Sequence, residues 1–241
     1  MNDELIRKHE GHVTHLTLNR PQKANALSAS LVEALLNAVE YAYTDGTRLM
    51  LLDGAGAHFC SGFDFTDYQA MSEGELALRF LRIETLLQQL YHAPFETLAL
   101  AHGRVFGAGA DLVCACGVRV AAPGTTFRLP GLRFGVVLGT RRLAQRIGAD
   151  HARAILHATR TFDADEAQAL NFLTHLVSQP QWPDFAARMR AECELLTPSA
   201  AAALHRQTVI DSRADDMAAL AASVSAPGLK ERIRRYREAN P

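Results

Sequence analysis

The sequence predicts an α/β fold that is followed by a region of helices. In the middle of the chain, strand-like apolar runs alternate with helix-like segments, which is typical of parallel strands joined by crossover helices. From about Thr140 onwards, almost every segment has helical spacing of its apolar residues. The 241 residues, 48% of them hydrophobic, are enough to bury one large core. We therefore expect an α/β core with a helical C-terminal third.

The N-terminal segment is predicted to be a hairpin followed by a helix. Two short alternating runs flank Glu10 and Gly11 in ELIRKHEGHVTHLTLNRP, as in paired strands. The polar loop NRPQKANAL then leads to SASLVEALLNAVEYAY, whose apolar residues recur at helical spacing. Ser30 and Glu33 are predicted to form a capping box at the start of this helix.

Strands and helices then alternate along the chain. TRLMLLDG is predicted to be a buried strand, and a helix is predicted from about Glu73 to Tyr91, before Pro94. ETLALAHG and VRVAAP are the next strands, and VFGAGADLVCACG between them is a glycine turn running into a short apolar helix. In the helical region, Asp163 and Glu166 of DADEAQAL form another cap signature.

Composition argues against several classes of function. The formal net charge of −1 does not favour nucleic acid or an anionic membrane as a partner. No apolar leader and no run of about 18 apolar residues is present, so we expect a cytoplasmic protein. The four cysteines form no C-x-x-C motif and are expected to be reduced thiols. His9, His12 and His15 lie on strands broken by a turn, where they do not converge, so we expect no metal.

Two loops follow predicted buried strands, where the sites of parallel sheets usually lie. The first is HFCSGFDF, residues 58–65, and the second is VFGAGADL, residues 105–112. A serine hydrolase elbow needs G-x-S-x-G, but Phe59 stands two residues before Ser61. A dinucleotide fingerprint needs a third glycine where Leu112 stands. A buried Cys60 is expected to be inert.

The remaining possibility is that these two loops bind a ligand through their backbone N–H groups. Gly107 and Gly109 lead directly into a helix, whose free N–H groups and dipole favour an oxygen that bears negative charge. A second amide from SGFD would complete an oxyanion hole with two donors. On the residues alone, the alternative that these glycines only permit a tight turn stays open.

The order and spacing of four segments resemble the enoyl-CoA hydratase/isomerase (crotonase) family. The segments are NRPQKANALS, HFCSGFDF, HGRVFGAGADLVCACGVRVAAPGTTFRLP and TFDADEAQALNFLTHLV, and the resemblance covers roughly residues 5–180. It implies a crotonase-like spiral of β-β-α repeats in residues 1–180 and a helical C-terminal region in residues 181–241. It also implies an acyl-CoA thioester as substrate, with coenzyme A as part of that substrate and no separate cofactor, and a homotrimer or hexamer.

The resemblance also implies roles for individual residues. The backbone N–H groups of Phe63 and Ala108 would form the oxyanion hole for the thioester oxygen. The residues implied to bind the coenzyme A and acyl parts are Lys23, Ala24, Ala26, Ser61, Gly62, Asp64, Phe65, Gly107, Pro130 and Gly131.

The sequence departs from the family pattern at its acidic residues. Hydratases of the family have two acidic side chains, and here the first position is Asp111 while the second is Gly131. Asp111 is the expected catalytic acid or base, because one carboxylate can still shuttle a proton between two carbons. The expected activity is hydration or double-bond isomerisation of an enoyl-CoA. A divergent acyl-CoA lyase, decarboxylase or hydrolase, or an acyl-CoA-binding protein without catalysis, are the alternatives.

Overall fold

The computed structural model describes residues 4–239. Its strands are β1 (Leu5–Glu10), β2 (Val13–Leu18), β3 (Leu49–Gly54), β4 (Glu96–Ala101), β5 (Arg104–Phe106), β6 (Val118–Ala121), β7 (Thr126–Arg128), β8 (Phe162–Asp163) and β9 (His175–Leu176). Its helices are α1 (Ala29–Ala42), α2 (Glu73–Tyr91), α3 (Ala108–Ala115), α4 (Thr140–Ile147), α5 (Ala149–Ala158), α6 (Ala164–Ala169), α7 (Trp182–Cys193), α8 (Pro198–Thr208), α9 (Arg213–Ser225) and α10 (Leu229–Glu238).

The strands form a large sheet and a small sheet. The large sheet has the order β1-β2-β3-β4-β6-β9, in which β1 and β2 are an antiparallel hairpin and the other pairs are parallel. The small sheet has the order β5-β7-β8. The units β4-β5-α3 and β6-β7-α4 each give one strand to each sheet before a helix follows. The predicted spiral of β-β-α repeats is therefore confirmed.

Alternate residues of a strand point to opposite faces of a sheet, and in the central strands β3 and β4 both faces are buried. Leu49 and Leu51 of β3 lie in a cluster with Phe185 of helix α7. Met50 and Leu52 of the same strand lie in the main core with helices α1 and α2. This double coverage explains why the sequence shows continuous apolar runs in the central strands rather than a polar alternation.

The helix predicted from Glu73 to Tyr91 is confirmed at both ends. It starts with a capping box, because the Ser72 hydroxyl accepts a hydrogen bond from Glu75 N and the Glu75 carboxylate accepts one from Ser72 N. The cap signature at Asp163 is also confirmed, since its carboxylate accepts a hydrogen bond from Glu166 N at 2.8 Å.

The capping box predicted at Ser30 and Glu33 is wrong. Helix α1 is capped by Ser28, whose hydroxyl accepts a hydrogen bond from Leu31 N at 3.0 Å. Ser30 already lies inside the first turn, and the Glu33 carboxylate pairs with Arg82 of α2 instead. Ser28 and Ser30 are two residues apart, and the sequence pattern does not distinguish which of them is the N-cap of α1.

The C-terminal helices pack on the core of the same chain. Helix α9 packs on α2, and α10 packs on α2 and on the short 3₁₀ turn Gly131–Phe134. Arg232 of α10 donates a hydrogen bond to the carbonyl oxygen of Phe134 at 3.0 Å. Within residues 4–239, no helix is both long enough and apolar enough to cross a membrane. The division near residue 180 stays a prediction.

Candidate active site

Backbone contacts bring the two predicted loops together. Cys60 forms an isolated parallel bridge with Val105, and Phe106 N donates a hydrogen bond to the Cys60 carbonyl oxygen at 2.9 Å. On the other side of the first loop, Phe63 bridges to Leu27. The first loop is therefore held between the segment before α1 and the segment before α3.

A close approach at Gly62 sets the distance between the loops. Gly62 has φ +88°, and a Cβ there would lie 2.6 Å from the Phe106 carbonyl oxygen and 3.1 Å from Ala108 N. Only glycine allows the two backbones to come this close. Within residues 4–239, neither Phe63 N nor Ala108 N donates a hydrogen bond. Two free N–H groups thus lie on adjacent stretches of backbone, one of them on the first residue of α3.

The two residues line one cavity with a mostly apolar wall. Phe63 stacks on Phe80 with ring centroids 4.3 Å apart, and Phe134 contacts Tyr236 of α10 at 5.0 Å. The aromatic residues in the lining are Phe63, Phe65, Phe80, Phe106, Phe134 and Tyr236, and the polar ones are Ser61, Asp111, Arg128 and Thr140. The final helix of the described chain therefore supplies part of the wall.

Asp111 lies in the first turn of α3 and lines the same cavity. It is 4% exposed, and its Oδ1 atom is buried without a hydrogen-bond partner within the described residues. The carboxyl packs against Gly139, which has φ +64° and where a Cβ would collide with Oδ1. Burial raises the pKa of Asp111 to about 8, while Arg142 acts to lower it and Glu84 to raise it.

A buried charge cluster lies beside Asp111. It consists of Glu84 of α2, Arg142 of α4 and Asp216 of α9. Arg142 binds Glu84 through both terminal nitrogens, with one N–O distance of 2.9 Å, and the two side chains are 2% and 1% exposed. Asp216 lies 3.5 Å from Arg142. Sequence reasoning missed this cluster, because its members are far apart in the chain and charged helix residues are usually solvated.

Asp64, by contrast, has its carboxylate fully engaged. It accepts hydrogen bonds from Thr66 N at 2.9 Å and from the Thr66 hydroxyl, and it forms an ion pair with Arg20 at 2.8 Å. Burial alone raises the pKa of Asp64, but these partners outweigh burial and leave the pKa below its usual value. Its side chain holds the loop rather than facing the cavity.

The remaining predicted binding residues divide into two groups. Those in the cavity lining are Ser61, Phe65, Gly107, Pro130 and Gly131, whereas Lys23, Ala24, Ala26, Gly62 and Asp64 lie outside it. Lys23 and Ala24 nevertheless touch the first loop, since Ser61 N donates to the Ala24 carbonyl oxygen at 2.9 Å. Sequence reasoning also missed Asn25, which follows Ala24, is fully buried and donates to the carbonyl oxygens of Ala55 and His58.

Gly131 lines the cavity without supplying a carboxyl. A Cβ there would lie 3.0 Å from the Val136 carbonyl oxygen, a tight contact that a side chain could occupy only if this carbonyl shifted by a few tenths of an ångström. Among the cavity residues within the described range 4–239, Asp111 is the one carboxylic acid. Any proton transfer between a bound molecule and a carboxyl of this cavity must therefore use Asp111.

The cavity offers neither an activated thiol nor a metal cluster. Burial raises the pKa of Cys60 to about 12, so its thiol is not a nucleophile at neutral pH. In the part of the chain that the structure describes, no three His, Cys, Asp or Glu side chains are grouped so as to hold a metal ion.

The family model for enoyl-CoA hydratase/isomerase matches residues 8–227, nearly the whole chain. The chain belongs to this family. Among solved structures, it is similar to a candidate enoyl-CoA hydratase/isomerase from Bordetella parapertussis, at 48% identity, with 99% of each chain covered and a TM-score of 0.97. An enoyl-CoA hydratase from Bacillus halodurans, at 19% identity, shares the fold, with a TM-score of 0.86 and coverage of 97% of this chain and 100% of that one.

Curated members of the family are more distant in sequence. The bovine enoyl-CoA hydratase domain-containing protein 2, a mitochondrial protein, is 30% identical over 83% of this chain and 70% of its own length. Human methylglutaconyl-CoA hydratase is 29% identical over 72% of this chain and 52% of its own length. Family members act on thioesters of coenzyme A, which makes the cavity of this family member a candidate thioester site.

Proposed function

We propose that this member of the enoyl-CoA hydratase/isomerase family is an enzyme that stabilises the enolate of an acyl-CoA thioester and moves a proton on it. One observation carries the proposal: two free backbone N–H groups, of Phe63 and Ala108, and one carboxyl, of Asp111, line a single apolar cavity. Family membership supports the ligand class.

The two amides would act on the thioester oxygen. An oxygen placed between Phe63 N and Ala108 N accepts two hydrogen bonds, and the positive end of α3 adds to the field at Ala108. These donors strengthen as the oxygen gains charge, so they favour the enolate over the neutral thioester. The protons on the carbon next to the thioester become more acidic as a result.

Asp111 would carry the proton. Its pKa of about 8 makes it a base strong enough to accept a proton from an activated carbon and an acid able to return that proton to another carbon. Double-bond isomerisation needs only this one group. Hydration also needs a water molecule to be oriented and deprotonated, and Gly131 offers no second carboxyl for that step. Between the two activities, the cavity therefore favours isomerisation.

The lining also restricts the substrate and its orientation. The aromatic walls suit an apolar acyl group, while the coenzyme A part would lie along Lys23, Ala24 and Ala26 towards Ser61. Coenzyme A enters as part of the substrate, so no separate cofactor is proposed. Assembly as a homotrimer or hexamer and a cytoplasmic location stay predictions. Light scattering of the purified chain tests the first of these.

The test is a panel of 2-enoyl-CoA and 3-enoyl-CoA esters offered to the wild type and to Asp111→Asn. We expect the wild type to interconvert the double-bond isomers and Asp111→Asn to lose that activity while still binding. Asp150→Asn, at a 96% exposed side chain, is the matched control and should keep wild-type activity. If the wild type binds the esters but neither isomerises nor hydrates any of them, the catalytic proposal fails. If no ester raises its melting temperature, the ligand class is wrong as well.

A further inference from the structure

Arg79 of helix α2 contacts both the backbone and the ring beside one of the two proposed oxyanion donors. Its Nη2 atom donates a hydrogen bond to the Leu27 carbonyl oxygen at 3.1 Å, and its guanidinium carbon lies 4.3 Å from the centroid of the Phe63 ring. Arg79 is half-buried and is not part of the cavity lining. It therefore contacts Phe63 from behind the cavity wall and not from inside the cavity.

The backbone hydrogen bonds around Phe63 fix the direction of its N–H group. Leu27 N donates to the Gly62 carbonyl oxygen at 2.7 Å, and Asp64 N donates to the Leu27 carbonyl oxygen at 3.2 Å. The peptide between Gly62 and Phe63 is trans, so its C=O and N–H groups point in opposite directions. Because Leu27 holds the carbonyl oxygen, the Phe63 N–H points away from Leu27. The direction of this proposed donor therefore depends on the position of Leu27.

The Leu27 carbonyl oxygen joins these backbone bonds to helix α2. It accepts one hydrogen bond from Asp64 N and one from Arg79, which uses both of its lone pairs. Leu27 and Phe63 form an isolated bridge, so their pairing lacks the support that neighbouring pairs give inside a sheet. The hydrogen bond from Arg79 ties this bridge to α2, a helix of 19 residues.

The Phe63 ring is held from the same helix. It stacks on Phe80 with ring centroids 4.3 Å apart and an angle of 18° between the planes. The guanidinium of Arg79, the preceding residue, lies over the Phe63 ring, where a cation is attracted by the electrons of the ring face. Two consecutive residues of α2 thus contact the side chain of the residue that carries the proposed donor.

The positive charge of Arg79 is permanent in this environment. Burial lowers the pKa of Arg79, while Asp64 and Asp67 act to raise it and Arg20 acts to lower it. An arginine side chain nevertheless keeps its proton in proteins. Any effect of Arg79 on the site is therefore present over the whole pH range of an assay.

We propose that Arg79 is a positioning residue for the oxyanion hole, because it holds the Leu27 carbonyl oxygen and the Phe63 ring to α2. The Phe63 N–H is thereby kept directed into the cavity. Arg79 touches no reacting atom, and its effect on a ligand passes through the Phe63 backbone. The catalytic part of this proposal rests on the function proposed above, whereas the link from Arg79 to the bridge between Leu27 and Phe63 does not.

Arg79→Met tests the structural link in the protein without ligand. Methionine is long and flexible, but it carries no charge and donates no hydrogen bond. The matched control is Arg82→Met, one turn further along α2, where the arginine pairs with Glu33 at the surface. Hydrogen exchange measured by NMR reports the amides of Leu27 and Asp64, which are the donors of the bridge. We expect both amides to exchange about tenfold faster in Arg79→Met and at the wild-type rate in Arg82→Met.

The stretching band of a bound carbonyl group reports the oxyanion hole itself. The probe is butyryl-CoA with carbon-13 at the thioester carbonyl, which has no double bond to isomerise, and the band is recorded by infrared difference spectroscopy at saturating ligand. Donors that polarise the carbonyl lower the frequency of this band. We expect the wild type and Arg82→Met to lower it relative to water, and Arg79→Met to lower it less.

Kinetics should show the same distinction. In Arg79→Met we expect kcat for isomerisation to fall about tenfold, less than the roughly 100-fold or more that loss of a whole donor costs. KM should change by less than about twofold, because a misdirected donor costs most where the oxygen carries most charge. The midpoint of the pH profile should stay at its wild-type value.

The outcomes separate this proposal from the proposed function. Unchanged amide exchange in Arg79→Met, or a carbonyl band equal to that of the wild type, would overturn the positioning role. If the wild type binds butyryl-CoA without lowering the band, the proposed function and the catalytic part of this proposal both fail, and the exchange rates alone decide the structural link. If Arg79→Met does not fold, Arg79→Lys replaces it, since lysine lacks the planar group that lies over the ring. Wild-type exchange and a wild-type band in Arg79→Lys would likewise overturn the proposal.

Discussion

Two buried aspartates near one cavity have opposite environments. Asp64 is 8% exposed and has partners on Arg20 and Thr66, whereas Asp111 is 4% exposed and has a buried Oδ1 without a partner within the described residues. Burial acts on both carboxyls in the same direction, yet their pKa values move apart, one below and one above the usual value. Hydrogen-bond partners therefore decide which carboxyl is structural and which is free to exchange a proton.

The largest expected difference between the two aspartates is in turnover. Asp111→Asn removes the one carboxyl that lines the cavity within residues 4–239, and we expect kcat for isomerisation to fall by at least about 100-fold. Asp64→Asn should retain kcat within about tenfold in whatever fraction of the protein stays folded. Steady-state kinetics at pH 8 compares kcat of the two variants, with the folded fraction of each measured by circular dichroism. Equal losses in kcat would contradict the division of roles.

The next effect is on stability, where loss of the Asp64 carboxylate should destabilise the fold. Among the residues that the structure describes, Asp64→Asn leaves the buried Arg20 with Glu4 as its one charged partner, at a cost of about 2 kcal/mol in the free energy of unfolding. Because the folded pKa of Asp64 is lowered, this contribution is present above the unfolded pKa near 4 and is lost as pH falls through the folded pKa. Urea unfolding at pH 7 and pH 3 should show a smaller difference from the wild type at pH 3 than at pH 7.

A stability effect of opposite sign is expected at Asp111. Its raised pKa means that the folded state holds a proton which the unfolded state has lost, so stability falls as pH rises from about 4 to about 8. Asp111→Asn does not ionise, and at about 1.36 kcal/mol per pKa unit it should be more stable than the wild type at pH 8 by on the order of 5 kcal/mol. The gain should disappear at pH 4. A variant that is less stable than the wild type at both pH values would show that the carboxylate has a partner after all.

Much of the fold follows from local patterns in the sequence. The α2 helix is marked at both ends, and the apolar runs before Gly54 and His102 are long enough to identify strands. The strands β5, β7, β8 and β9 were not distinguished as separate elements, because two or three residues carry no period and their pairing is set by the spiral. The exact start of a helix is harder to predict, as the cap of α1 shows. Ser28 and Ser30 have the same side chain, and only the folded chain determines which one caps the helix.

The candidate site was predictable in part. The glycine run before α3 predicts free amides, and the resemblance to the family singled out Phe63 and Ala108, which the structure places beside one cavity. No local pattern indicates that Arg142 meets Glu84, since their contact depends on the packing of α4 against α2 and α3. The unpartnered state of Asp111 Oδ1 is likewise a property of the packed interior and not of any motif.

The contact between Gly139 and Asp111 makes the residue that is allowed at one position depend on the residue at the other. Because the Asp111 oxygen occupies the space where a side chain at residue 139 would begin, any mutation that adds a side chain there must displace the carboxyl. In an evolving lineage or a directed-evolution library, the two positions should therefore change together or not at all. A search for altered chemistry in this cavity should randomise them as a pair.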